Sequence, residues 1–234
     1  MDITRKLYWL MHAGITCFCN ESPTTLCVIS NTSIAKDDAT PATAQATTLA
    51  SQAKTLDELN IEKQNFQLSS LRKTAAHTLL GTGPLTPKLM CILDMPDNDS
   101  DRTGAPLTGA QAIQIQKMMN AIHLDMGTDV YLTYLSPWRT PGNRPLTSAE
   151  SALFIPFLSQ EIHLVRPEII LLFGSGTSNA LLNLSSLSKA RGKWHMWDNI
   201  PTRVTLSISM LKTTTLRRQA WMDLQEVEKK LSTP

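Results

Sequence analysis

The sequence predicts a three-layer α/β/α domain built on a four-stranded, mainly parallel sheet. Three observations carry that prediction. Apolar runs of strand length recur at 89–93 (LMCIL), 130–135 (VYLTYL), 168–173 (EIILLF) and 204–208 (VTLSI). Between them lie longer stretches whose apolar residues repeat at helical spacing. The run 89–93 is continuously apolar, as in parallel strands covered on both faces by helices.

Composition sets the bounds. The chain has 234 residues, 42% of them hydrophobic, enough for one large domain with an extension. Its formal net charge is only +2, so any nucleic-acid binding must come from local patches rather than a global field. Cys17, Cys19, Cys27 and Cys91 form no C-x2-C pair. His12, His77, His123, His163 and His195 form no H-x3-H pair, so no metal site is expected. A reduced, cytoplasmic setting and a monomer are the expectations.

Taken in order, residues 1–28 place basic side chains before an apolar run. His12 and Thr16 interrupt the run and no small-x-small site follows, which argues against a signal peptide. Leu7, Leu10, Met11 and Ile15 share a helical face, so this is read as an N-terminal helical segment. Nowhere does the chain approach the roughly 18 apolar residues of a membrane span. Residues 29–55, rich in Thr, Ala, Ser and Asp, read as a low-complexity linker with at most a weak helix. The domain proper is expected over 56–234. Leu56, Leu59, Ile61, Phe66, Leu68 and Leu71 give it one or two opening helices, and Gly81, Gly83, Pro84 and Pro87 a turn-rich entry.

The first strand, 89–93, holds Cys91 as a buried free thiol. A helix follows over 110–124, with Ile113, Met118 and Ile122 on its apolar side. After the strand 130–135, Thr147 and Glu150 form a capping box that starts an apolar helix over 148–165, stopped at Arg166-Pro167. Gly174-Ser175-Gly176 follows the third strand without completing G-x-G-x-x-G or G-K-[ST], so it reads as a tight strand-to-helix turn. The run 204–208 alternates, which places it at a sheet edge, and 216–231 is a charged amphipathic helix.

In such folds ligands bind at loops beyond the carboxyl ends of the strands. Two loops carry chemistry. The first has Asp94, Asp97, Asp99 and Asp101, without the central glycine and closing glutamate of a calcium loop. The second sets Trp138, Arg139, Asn143 and Arg144 on a Pro/Gly frame.

These pieces come in a recognisable order. D-R-x-G-x-P-x-x-G spans 101–109, W-R-x-P-G-N-R spans 138–144, and R-P-x-I spans 166–169. R-G-K-W-H at 191–195 and R-R-x-A-W-x-D-L-Q at 217–225 complete the series. The series resembles the family 4 uracil-DNA glycosylases, and LYWLMHAGI near the start resembles the leading helix of their alphaproteobacterial branch. The resemblance implies a uracil-DNA glycosylase-like fold, a DNA N-glycosylase ancestry, a DNA partner and a four-cysteine iron–sulfur cluster.

At the positions of the family's site this chain differs. Where the family reads G-E-A-P-G, the chain has Leu93-Asp94-Met95-Pro96-Asp97, keeping a carboxylate on a shorter arm. The family's Glu-Asp pair becomes Ser100-Asp101, leaving Asp94 and Asp101 as the catalytic candidates. In the base pocket Leu107 stands for the stacking Phe, Tyr134 for the uracil-reading Asn, and Leu206-Ser207-Ile208 for the H-P-[SA] loop. Losing an oxyanion-type donor such as that His costs about 2.7–4 kcal/mol of transition-state stabilisation. A base edge without its reader loses roughly 10⁴-fold discrimination, and an absent stacking ring about 1–3 kcal/mol. The family's cysteines align near Ser69 and at Phe154, so the cluster is expected to be absent and no cofactor is expected in its place.

The expected function is therefore a glycosylase-like protein with little or no uracil excision. It would keep weak, salt-sensitive DNA contact through Arg139, Asn143, Arg144, Arg191 and Lys193. Two alternatives stay open: an active glycosylase of altered base specificity using Asp94 or Asp101, and a non-enzymatic interaction or scaffold role.

Overall fold

The computed structural model describes residues 40–106 and 108–232. The segment expected as an N-terminal helix at 1–28, with Cys17, Cys19 and Cys27, lies outside the described residues, as does Leu107. Among the described residues no helix is long and apolar enough to cross a membrane.

The sheet has five strands where the sequence predicts four, in the order β2-β1-β3-β5-β4. β1 (Leu89–Leu93), β2 (Val130–Tyr134), β3 (Ile169–Phe173) and β5 (Ile200–Thr205) run parallel. The added strand is β4 (Trp194–Trp197), which pairs antiparallel with β5 and forms the edge. Asp198 and Asn199 turn the chain between them, both at positive φ, as a two-residue hairpin requires. The strand expected at 204–208 thus lies further back in the chain and inside the sheet, with Val204 fully buried between neighbours.

Alternation along the strands divides two core layers. Met90, Ile92, Tyr131, Ile170, Leu172 and Val204 face α1 (Pro41–Gln52), α2 (Leu56–Asn65), α5 (Ser148–Val165) and α6 (Gly174–Leu182). Leu89, Cys91, Leu93, Tyr134, Leu171 and Leu206 face α4 (Gly109–Asn120) and α8 (Thr214–Leu231). Short helices α3 (Asn98–Thr103) and α7 (Leu187–Ala190) complete the set. In α4, Ala112, Ile115, Met118 and Met119 are buried, whereas Ile113, expected inside, is 55% exposed. The 29–55 stretch, expected as a linker, carries α1 in its described part. Ala46 and Ala50 let α1 pack closely, and Ala53 O accepts from Gln160 Nε2 of α5 at 2.8 Å. Alanine at both contact positions supplies what large apolar side chains do elsewhere, so the composition concealed a packed helix.

One polar group ties β2 to α2 and α5. Glu161 of α5 is fully buried and accepts from Lys63 Nζ of α2 at 2.6 Å. It also accepts from Tyr131 Oη and Thr133 Oγ1 of β2, each at 2.9 Å. Burial, then the Glu161 charge, holds the Tyr131 phenol protonated far above its ordinary range. A Cβ at Gly81 would overlap the Tyr131 hydroxyl, so the entry loop can close over this group only as glycine.

The capping box of Thr147 and Glu150 opens α5 as the sequence predicts. Its other end is strained: Arg166, exposed, caps it at φ 54. Glycine adopts that conformation without a Cβ clash. Arg166→Gly is expected to raise unfolding stability by about 0.5–1 kcal/mol, read by urea denaturation.

Candidate active site

In this strand order the chain leaves β1 toward β2 on one side and leaves β3 toward β5 on the other. The carboxyl ends of β1 and β3 therefore flank a topological switch point, the crevice where open α/β sheets bind ligands. Asp94 follows β1 directly, and α6 begins directly after β3.

The two meet. Asp94 Oδ1 accepts from Thr177 N in the first turn of α6 at 2.8 Å. Gly174 makes the sharp strand-to-helix turn at φ +94, and a Cβ at Gly176 would overlap the Asp94 carboxylate. The G-S-G-T turn is thus shaped around this acid. A Cβ built on Gly174 would lie 3.2 Å from Ser207 Cβ and 3.3 Å from Asp94 Oδ2, so the loop after β5 reaches the same point. Backbone bonds Leu135 N to Leu93 O at 2.7 Å and Ser136 N to Asp94 O at 3.0 Å fix the β1 end against β2.

Burial pushes the Asp94 carboxyl up to about 6, opposed by the Thr177 N–H, which favours the anion. An acid that titrates near neutrality can take or give a proton at cellular pH. It is the one sequence-predicted catalytic residue with such an environment.

Asp101 is engaged elsewhere. Its Oδ1 accepts from Ala76 N at 2.9 Å and His77 N at 3.3 Å, and the residue is 7% exposed. His77 Nδ1 closes the clasp on Asp101 O at 2.7 Å. The arrangement pins residues 76–77 to α3.

Tyr134 stands opposite Leu93 across the strand register, one residue before Asp94. It is 6% exposed, and Leu206 is 3% exposed; both belong to the apolar cluster under α4 and α8. The strand ends beside Asp94 thus carry packed side chains.

The five expected DNA contacts divide. Arg144 forks onto Glu150, Nη2 to Oε1 at 2.6 Å and Nη1 to Oε2 at 2.8 Å, which draws Glu150 down to about 2. Arg191 grips Asp223 Oδ2 at 2.7 and 2.9 Å and Gln219 at 2.9 Å, anchoring the β4 approach to α8. Buried Arg203 adds to Asp223 at 3.3 Å and lies over the Trp194 ring. Arg139 Nε donates to Asn143 Oδ1 at 2.6 Å on the surface loop, and Lys193 is exposed.

Asp94 is a candidate from the sequence, but its cradle, Gly174, Gly176 and Thr177, is not, because the helix start is 83 residues from the acid it holds. The signal was present: two glycines bracketing the first turn after a buried strand mark a close approach.

Among the described residues no group of three or more His, Cys, Asp or Glu could hold a metal ion. Cys91, the one cysteine there, is buried, and burial keeps its thiol protonated.

The uracil DNA glycosylase superfamily profile matches residues 80–225. A Type-4 uracil-DNA glycosylase of Saccharolobus solfataricus is 28% identical over 148 residues, 61% of this chain and 68% of that protein. Proteins of the same description from Archaeoglobus fulgidus and Pyrobaculum aerophilum are 26% and 25% identical, over 72% and 86% of their lengths.

Proposed function

The chain belongs to the uracil DNA glycosylase superfamily, and from that membership we propose a glycosylase-like protein whose base excision is lost or strongly weakened, with weak DNA affinity retained. The observation that carries this reading is the packing beside Asp94. Tyr134 and Leu206, at the positions aligned with a base reader and a leaving-group donor, are buried in an apolar cluster. Leucine supplies no preorganised donor to stabilise a departing base anion, and the Tyr134 ring fills space beside Asp94. A flipped base also needs a pocket to receive it.

Asp94 favours a second reading, excision of a different base. Its carboxyl at the switch point, poised at about 6, suits a base that activates water. A glycosylase assay on uracil, hypoxanthine and xanthine, in single- and double-stranded DNA, separates the two. No excision of any base supports the first reading. Excision of one base that disappears in Asp94→Asn establishes the second.

The DNA affinity has its own test. With Arg144 and Arg191 held by carboxylates, Arg139 and Lys193 are the cations left among the five expected contacts. The slope of log K against log salt is expected at about −2 to −3, and Arg139→Ala should reduce it by about one. Absence of binding at low salt would make the basic loop purely structural and favour a non-enzymatic role.

A further inference from the structure

The ligand positions of the iron–sulfur cluster that the family resemblance implies do not fit such a group. Ser69, 2% exposed, uses its Oγ to accept from Leu71 N at 3.3 Å and cap the turn Ser70–Lys73. Phe154, also 2% exposed, meets Trp138 edge to face with centroids 5.6 Å apart. Phe66 meets Phe157 the same way at 5.3 Å. Between the two pairs, with Pro137 and Lys63, remains a space of about 10 Å³, no larger than one water. Cys91 belongs to the other core layer and cannot reach it.

Those aromatic rings come from three separate parts of the chain: Phe66 from the end of α2, Trp138 from the basic loop, and Phe154 and Phe157 from α5. Lys63, one turn before Phe66, adds the buried ion pair to Glu161 on the same helix α5. A cluster held by thiolates from these segments would join the same three elements. Each T-shaped aromatic pair contributes beyond its buried area, and breaking a buried ion pair is strongly destabilising.

We infer that this node of Lys63, Glu161 and the two aromatic pairs performs the cross-link of a metal cluster, so that the chain folds and holds its 138–144 loop without iron. Trp138 is both the first residue of that loop and a wall of the node, and its Nε1 donates to Thr78 Oγ1 at 3.0 Å. The loop's placement therefore follows from side-chain packing. The inference is independent of whether the protein excises a base or binds DNA.

The test uses the full chain, expressed with iron and sulfide in excess and purified without oxygen. Less than about 0.1 iron per chain and no visible charge-transfer absorbance are expected. The melting temperature should be unchanged by chelator or mild peroxide. Phe66→Ala and Lys63→Met should each lower it by about 10 °C. Phe66→Leu serves if the alanine variant does not fold, with a smaller loss in the same direction. About four irons per chain with visible absorbance would overturn the inference, as would a melting temperature that falls with chelator. So would Phe66 and Lys63 variants that melt within about 2 °C of the parent.

Discussion

Glu161→Ala is expected to cost about 3–5 kcal/mol of unfolding stability. The carboxylate is fully buried and accepts from an ammonium and two hydroxyls. Its removal leaves Lys63, 6% exposed, as a cation without a counter-charge, and leaves Tyr131 and Thr133 without their acceptor. Each orphaned hydroxyl would cost about 1–3 kcal/mol alone, but the losses overlap because one group serves all three. Urea denaturation should show a lower midpoint with an unchanged m-value. Lys63→Met in the same background should restore part of the loss, since it removes the ammonium left without a counter-charge. A Glu161→Ala variant within about 1 kcal/mol of the parent would mean that water enters the site.

Asp94→Asn is expected to act in two opposite directions. Any excision should fall by at least about 100-fold, because asparagine cannot take a proton. Stability at pH 8 should rise by about 1–3 kcal/mol. The folded carboxyl titrates at about 6, against about 3.9 in an unfolded chain. Between those values the folded state binds the proton more tightly, so the parent loses stability as pH rises from about 4 to 6 and is level above about 7. The variant has no such group, so the two proteins should differ most at pH 8 and converge near pH 4. Asparagine can still accept from Thr177 N through its carbonyl oxygen, which keeps the helix start anchored. A variant less stable than the parent at pH 8 would show that the Asp94 anion stabilises the start of α6.

Much of this fold was legible. β1, β2, β3 and α5 announce themselves because each is an apolar run with a clear boundary, such as the Thr147–Glu150 box that starts α5 or the Arg166-Pro167 pair that ends it. The antiparallel edge was hidden: Trp194–Trp197 mixes a histidine and an exposed methionine, and Pro201 and Arg203 break the pattern of β5. The Asp198-Asn199 turn was its one local sign. Ile113 was misplaced because α4 is flanked by apolar residues on more than one side, and spacing alone does not say which side meets the sheet. In the site, Asp94 could be read from its place after a strand, but its ionisation depends on burial that only the fold creates. The fate of Arg144 was readable from Glu150 six residues on, whereas that of Arg191 was not, its partner lying 32 residues away.

The docking of α1 has a practical consequence for anyone trimming this protein. A fragment beginning at Leu56 would discard the small-residue helix that covers α5 and would strip Gln160 of its acceptor at Ala53. The apolar surface of Ser148–Val165 thereby bared is of the kind that drives chains to associate. The shortened product should elute as aggregate in gel filtration, whereas a chain begun before Thr40 should remain dispersed, so the low-complexity look of the segment is a poor guide to where the folded unit starts.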